Sequence, residues 1–574
     1  MTLDFRNTNA LWSSVAAETL WRAGVRHAVI SPGSRNTPLT MALVAHAGIA
    51  TTPVLDERSA AFFALGIAKR TGVPVVLLCT SGSAGAHYLP ALIEAKEGGV
   101  PLIAITADRP PELRDCASGQ TIDQQKLFGG FVEFYHELAV PEPRVELLNY
   151  LRQTLRHAFE RARSARAPVH LNAPFRDPLP PIEDATARPL AEAVDWARFF
   201  ALPEGAAAEE TPKLGLPAEF ITKRGVIVAG AGFDEGACAL AHGAGYGWPV
   251  LADAISGARL RVGNRATVIA AYDAILRDEG AAEKLRPEVV VIFGEVPTSK
   301  VLRAWLARVD APAVQFSRRP DNRDGLHGRT RRVVAEPDEL DRAPIVLKGA
   351  GPEWEGAWAR AEAAAQAVLA NAAAEAGFEG AFTRAVAETL RKGQALMVAS
   401  SMPVRDLEYL APVRADGPRV LANRGANGID GLLSTALGVA HGGDPVVLLT
   451  GDLALLHDTN GFLIAAKLQG SLTVVVINND GGGIFGHLPV ARFEPPFEEY
   501  WATPQRVDFA RLAAAYAVPH QLVATTDELR ATLRAQVGAP GLRVVEVRTN
   551  RTTDAATRKG LFAAAAQAAG HALG

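Results

Sequence analysis

Cysteine is scarce. Three occur in 574 residues, Cys79, Cys116 and Cys238, and they form no CxxC pair. That number and spacing exclude a disulfide framework and a thiolate zinc site, and they fit a reducing cytoplasm. Long apolar runs are missing too: no stretch reaches the ~18 uninterrupted apolar residues of a membrane span. The start, MTLDFRNTNALWSS, carries an acid where a signal peptide would be basic and then apolar. A soluble, cytoplasmic protein is expected. An excess of one charge is also missing. Fifty-nine Lys and Arg against 62 Asp and Glu leave a net charge of -3, which gives no electrostatic case for nucleic acid or an anionic membrane as partner. The arginine-dense stretch FSRRPDNRDGLHGRTRRVV (316–334) has interspersed aspartates and no interleaved aromatic ring, so it reads as a solvated loop or a small-anion contact.

What is present is ample core material. A hydrophobic content of 48% with 21% charged residues is that of a globular protein, and the length suggests about three or four domains. Short apolar runs bounded by Gly, Pro, Ser or Thr alternate with helical patterns: RHAVI, VPVVLLC, VPLIAIT and APVHL, then GVIVAG, WPVLAD, EVVVIFG and APAVQF, then ALMVASS, PRVLANRG, PVVLLTGD, LTVVVINN and LRVVEVR. Such alternation indicates parallel sheets wrapped by helices. A Pro- and acid-rich stretch, PLPPIEDATARPL (178–190), reads as a linker, and an Ala-rich segment (357–377) as a helix. Three consecutive parallel-sheet α/β domains are expected, at 1–185, 198–345 and 357–574.

Two of the strand ends belong together. VVLLT stops at Gly451 and Asp452, and LTVVVI stops at Asn478, Asn479, Asp480 and a glycine run. A βαβ unit brings the carboxyl ends of its strands to one edge of the sheet, the edge at which open α/β sheets bind ligands. Asp452, the amide oxygen of Asn479 and a free carbonyl at Gly481 then form a hard, all-oxygen half-shell. Mg²⁺ favours such ligands and leaves its other positions to phosphate oxygens and water. Taken singly, Asp452 is an ordinary helix start and NNDGGG an ordinary turn; the pairing across one βαβ unit points to a metal diphosphate.

This GD…NN pair resembles the diphosphate and metal motif of thiamine-diphosphate enzymes, although Leu453 stands where that family commonly has Gly. TSGSAGAHYLPALIEAKEGGVPLIAITADRPPE (80–112) is similar to the family's pyrimidine-binding domain, and VLDERSAAFFALGIAKRTGVPV (54–75) to its segment with the activating glutamate. The resemblance implies thiamine diphosphate with Mg²⁺ (or Mn²⁺) on Asp452, Asn479 and Gly481. It makes Glu57 the carboxylate that hydrogen-bonds the pyrimidine nitrogen and favours the tautomer able to take the thiazolium proton.

Further stretches narrow the family: SPGSRNTPLT, TADRPPELRDCASGQTIDQ, SSMPVRDLEYL, NRGANGIDGLLSTALG and NNDGGGIFGHLP. Together they resemble the 2-succinyl-5-enolpyruvyl-6-hydroxy-3-cyclohexene-1-carboxylate synthase family of menaquinone biosynthesis, whose members decarboxylate 2-oxoglutarate and add the succinyl unit to isochorismate. Both substrates carry two carboxylates, which suits arginine. The resemblance implies substrate contacts from Ser34, Arg35, Arg109, Gln120, Lys300, Arg405 and Arg424. It implies cofactor contacts from Ser401, Ile429, Ile484 and Phe485, with Ile429 beneath the cofactor. A basic residue often follows the family's lysine, but here Val301 follows Lys300, and Arg303 is the nearest substitute in sequence. The family also implies a homo-oligomer, at least a dimer and a tetramer by resemblance, because its cofactor lies between domains of two subunits. The alternatives are another thiamine-diphosphate 2-oxo acid decarboxylase or carboligase, a non-catalytic thiamine-binding protein, and a nucleotide-binding oxidoreductase. The last is suggested by VIVAGAGFDEG (226–236), whose third glycine is misplaced for GxGxxG.

Overall fold

Aliphatic and β-branched runs that are apolar at successive positions can be buried on both faces at once, which is the environment of a central strand in a parallel sheet. The computed structural model, which describes residues 3–201, 220, 223–233, 237–260, 267–341, 351–372 and 377–574, forms three six-stranded sheets with every strand pair parallel. In spatial order the first contains Ala50–Pro53, His27–Ile30, Val75–Cys79, Leu102–Asp108, Pro168–Pro174 and Phe134–Glu137. The second contains Thr330–Val334, Ala313–Ser317, Val289–Phe293, Gly225–Ala229, Val250–Ala252 and Val268–Ile269. The third contains Arg419–Ala422, Ala395–Val398, Val446–Gly451, Ser471–Asn478, Gly541–Arg548 and His520–Val523. Part of the arginine-dense stretch expected as a loop is therefore an edge strand, Thr330–Val334, paired with Ala313–Ser317. The last three residues of the 226–236 glycine run lie outside the described residues, as do 346–350 between the second and third expected domains.

Packing groups the chain into two compact units. One comprises Met1–Ala207, Asn423–Gly443 and His457–Gly470, and the other Ala208–Ala422, Asp444–Leu456 and Ser471–Gly574. In the first, helix Glu57–Thr71 is buried from Ser59 to Ala68 and packs on helix Leu432–Ala440. Two glycines set their separation. A Cβ on Gly66 would stand 2.0 Å from the Thr435 carbonyl oxygen, and one on Gly438 2.0 Å from that of Phe63. The stretch 178–190 is not a free linker. Asn7 and Asn9 donate to the carbonyls of Pro180, Ile182, Arg176 and Pro178, while Leu179 and Ala187 are buried in the core of the first sheet.

In the second unit, helix Pro352–Asn371 packs along the C-terminal helix Arg551–Ala572. The first of these begins five residues before the Ala-rich segment at 357, because Pro352 can open a helix without giving up a hydrogen bond. Arg259, fully buried, pairs with Glu408 at 3.2 Å and also donates to the Ala252 and Ala270 carbonyls. The crossover between Val446–Gly451 and Ser471–Asn478 is a short helix, Asp452–His457, followed by the 3₁₀ segment Thr459–Lys467. Thr459, Asn460 and Gly461 are poor α-helix formers, and the Asp458 side chain is engaged by Ser434, so one regular helix does not form there.

Candidate active site

Strand register brings the two predicted ends together: Gly451 lies opposite Ile477, so Asp452 leaves the sheet level with Asn478, one residue before Asn479. Asp452 is buried, and its Oδ2 accepts the Gly481 N–H at 2.7 Å. Burial pushes its carboxyl up to about 6, against the opposing pull of the Leu453 and Gly481 N–H groups. The two asparagines differ in use. Asn478 donates its amide to Glu546 at 2.9 Å, a bond within the sheet edge. Asn479, also buried, donates Nδ2 to Glu379 at 2.9 Å, and its Oδ1 is buried with no hydrogen-bond partner. An orphaned amide oxygen of this kind costs stability unless something else fills the position.

Gly481 has φ of 131°, and a Cβ there would meet the Ala502 carbonyl oxygen at 2.3 Å. Its own carbonyl is not wholly free as expected, since it accepts from Gly483 N–H at 3.0 Å; the second lone pair remains for a ligand. No cluster of three or more His, Cys, Asp or Glu occurs among the described residues. One carboxylate, one amide oxygen and one carbonyl nevertheless make a donor set that fits Mg²⁺ or Mn²⁺ sharing its shell with a diphosphate. The orphaned Asn479 oxygen is the observation that meets this requirement.

The glycine run continues into Ile484 and Phe485, which line a cavity of about 780 Å³. Lys300, Val301 and Arg405 line it as well. Ser401 opens the helix Met402–Leu410 with φ of 73°, and its carbonyl accepts from Arg405 Nη1 at 2.6 Å. Arg303 does not replace the missing base beside Lys300, because its guanidinium is bound to the Val296 and Pro297 carbonyls. The cavity gains charge from residues the sequence reading missed: Arg277, Arg492 and Lys559. Arg277 is tied to Asp273 at 2.9 Å and lies over the Phe562 ring. Its i,i+4 partner was visible in sequence, but its arrival in this cavity depends on a fold-level contact.

The remaining candidates lie in the first unit. Glu57 is the first residue of its helix, half-buried, behind the N-cap Asp56. Burial raises the pKa of Cys79 and Tyr88, and the Glu57 charge adds to the rise in both. Asp56 is pushed up by burial, but bonds from Arg58 and Asn460 outweigh this and hold it at about 2. Arg35 is buried and donates to the Phe175 carbonyl at 2.9 Å. Arg109 donates to the Gln120 carbonyl at 2.7 Å and to Ser81, whose carbonyl in turn accepts the Gln120 amide at 3.0 Å. Burial and then the charge of Arg35 lower the pKa of Arg109, so the two guanidiniums share one neighbourhood. Ser34 is exposed beside Arg35. Arg424 and Ile429 sit in a loop held by Glu94, which accepts the N–H groups of Gly425 at 3.1 Å and Ala426 at 2.8 Å.

Three family models match: the N-terminal TPP binding domain of thiamine pyrophosphate enzymes over residues 12–127, the middle domain of thiamine pyrophosphate enzymes over 201–398, and the C-terminal TPP binding domain over 409–547. A 2-succinyl-5-enolpyruvyl-6-hydroxy-3-cyclohexene-1-carboxylate synthase of Gloeothece citriformis is 44% identical over 570 residues, covering 97% of this chain and 98% of the relative. The synthase of the same name from Synechococcus elongatus is 45% identical over 571 residues, covering 98% and 97%. Among solved structures, a benzoylformate decarboxylase from Polynucleobacter necessarius matches with a TM-score of 0.66 at 17% identity, over 94% of this chain and 98% of that one, a likeness of fold. Identity at this level over the whole length, together with all three domain matches, establishes that the chain belongs to the 2-succinyl-5-enolpyruvyl-6-hydroxy-3-cyclohexene-1-carboxylate synthase family of thiamine pyrophosphate enzymes.

Proposed function

We propose that this protein decarboxylates 2-oxoglutarate and joins the succinyl unit to isochorismate by 1,4-addition, giving 2-succinyl-5-enolpyruvyl-6-hydroxy-3-cyclohexene-1-carboxylate and CO2. The observation that carries this reading is the continuity of one loop: Asn479 and Gly481 stand at the metal half-shell, and Ile484 and Phe485 of the same run line a cavity that also holds Lys300 and Arg405. Cations beside an apolar wall suit a small dicarboxylate.

Thiamine diphosphate, when bound, supplies the nucleophilic carbon and the electron sink for decarboxylation. Asp452, the Asn479 amide oxygen and the Gly481 carbonyl would hold Mg²⁺ or Mn²⁺ and through it the diphosphate. Glu57 would hydrogen-bond the pyrimidine ring nitrogen and favour the tautomer that acts as base. Ser401, Ile429, Ile484 and Phe485 keep the cofactor in place and exclude water. Lys300 and Arg405, with Ser34, Arg35, Arg109, Gln120 and Arg424, bind the substrate carboxylates and hold the reacting carbons in near-attack geometry. We read the protein as a cytoplasmic homo-oligomer, at least a dimer and by family resemblance a tetramer, with domains at 1–185, 198–345 and 357–574. No described helix is long and apolar enough to cross a membrane.

The test mixes protein, Mg²⁺, thiamine diphosphate and 2-oxoglutarate with and without isochorismate, following isochorismate loss and product mass. Consumption that needs both cofactor and 2-oxoglutarate supports the reading. Decarboxylation with isochorismate untouched would instead identify another 2-oxo acid decarboxylase or carboligase.

A further inference from the structure

Behind the metal half-shell lies a buried ionic network. Glu379, 3% exposed, accepts the Asn479 amide on Oε2 at 2.9 Å and Arg558 Nη2 on Oε1 at 2.6 Å. Arg558, 4% exposed, binds Asp406 through two bonds of 2.8 Å and meets His487 Nε2 at 3.0 Å. Asp554 accepts the Glu379 N–H at 3.1 Å. Neither Glu379 nor Arg558 belongs to the expected ligand set. Asp406 follows the substrate arginine Arg405, and His487 lines the cavity two residues after Phe485.

A primary amide has a donor end and an acceptor end, and a metal can use the acceptor end alone. The carboxylate of Glu379, paired with a guanidinium, accepts and does not donate. It can therefore engage Asn479 only through Nδ2, and this fixes the opposite orientation for Oδ1, the atom left without a partner. Partners of this kind orient metal ligands, and their removal typically costs about 10- to 100-fold in metal affinity.

We propose that Glu379 is a positioning residue, which, backed by Arg558, holds the Asn479 amide so that Oδ1 is presented to the divalent cation. The inference rests on Asp452, Asn479 and Gly481 being the ligands. Through Asp406 and His487, Arg558 links this orientation to the wall of the substrate cavity.

Mn²⁺ is titrated into the full-length protein saturated with thiamine diphosphate, and free Mn²⁺ is read by its electron paramagnetic resonance signal. Glu379→Gln is expected to weaken Mn²⁺ binding by about 10- to 100-fold. Adding Asn479→Asp to that variant is expected to recover most of the loss, because the new amide then donates to the new carboxylate and leaves its second oxygen for the metal. A purely structural role for Glu379 would not produce that recovery. If Glu379→Gln does not fold, as judged by circular dichroism, Glu379→Asp withdraws the carboxylate by one methylene and is expected to weaken binding in the same direction. Unchanged Mn²⁺ affinity in the folded variant, or no recovery in the double variant, overturns the proposal. Asp452→Ala separates the two readings: if it leaves Mn²⁺ binding intact, the ligand assignment falls and this inference with it. If Asp452→Ala abolishes binding and Glu379→Gln does not affect it, the inference alone falls.

Discussion

Asp452 and Gly481 are 29 residues apart in sequence, and the N–H of one meets the carboxylate of the other at 2.7 Å. This bond places a positive-φ glycine against the Ala502 carbonyl, where no side chain fits. Gly481→Ala is expected to introduce strain of about 1–3 kcal/mol. It should raise the dissociation constant of thiamine diphosphate with Mg²⁺ at least about tenfold, since 1.4 kcal/mol is a factor of ten. Isothermal titration calorimetry reads the change, and wild-type affinity would refute the close-approach argument.

Glu57 heads a helix that is buried from Ser59 to Ala68, so its backbone is well anchored while its side chain is half-exposed. Glu57→Gln keeps shape and removes the proton acceptor. We expect kcat to fall by about 10²- to 10⁴-fold, the usual contribution of a positioned acid or base. Cofactor affinity should change by less than about tenfold. A loss confined to affinity would place Glu57 outside the chemistry.

Lys300 and Arg405 share one cavity with Phe485. Arg405→Ala and Lys300→Ala should each raise KM for 2-oxoglutarate by about 10- to 100-fold, the loss of one charge-assisted bond, with thiamine diphosphate binding retained. Steady-state kinetics with the monocarboxylate 2-oxobutyrate supply the control, because the penalty should shrink when the second carboxylate is gone.

The contact between Gly66 and Gly438 predicts a stability effect without any chemistry. A methyl at either site would collide with a backbone carbonyl of the facing helix. Gly66→Ala and Gly438→Ala should each cost about 1–3 kcal/mol, with less than additive loss in the double variant because one separation relieves both collisions. Thermal denaturation measures this.

His170 supplies a pH dependence. Its Nε2–H donates to Thr106 Oγ1 at 2.8 Å, because the Thr106 hydroxyl proton is given to Asn172, and its Nδ1 is buried without a partner. Burial pushes its pKa down to about 3. The unfolded chain takes up a proton here below about 6.5, whereas the folded one does not until about 3. Stability from this group is thus complete above pH 6.5 and falls as the pH drops toward 3, by about 1.4 kcal/mol per unit. His170→Asn should flatten the pH dependence of the melting temperature between pH 6.5 and 5; an unchanged slope refutes it.

Every strand missed in sequence lies at a sheet edge, and of the edge strands only Arg419–Ala422 was found. Runs such as VVLLC and VVVIF are buried throughout and read as continuous apolar segments. Ala50–Pro53, Phe134–Glu137, Val268–Ile269, Thr330–Val334 and His520–Val523 all lie at sheet edges, and four of the five alternate or are half-exposed. An edge strand pairs on one side only, so its composition carries a weaker signal. The site divides similarly. That Asp452 and the run at Asn479 and Gly481 would meet was legible because two strand ends announce it at a fixed spacing. Glu379 and Arg558 were not, because 100 and 79 residues respectively separate them from Asn479, and nothing local marks a carboxylate that orients a distant amide.

The first packing unit is completed by the segments Asn423–Gly443 and His457–Gly470. A chain emerging from the ribosome therefore makes the Glu57 helix long before its partner Leu432–Ala440 exists. The side of it that meets Leu432–Ala440, around Phe63 and Gly66, must wait through the synthesis of the whole second sheet, while the rest already packs on the first sheet. During that interval this side lacks its partner, and a pause in translation before residue 432 would lengthen its exposure without altering a single contact of the finished protein.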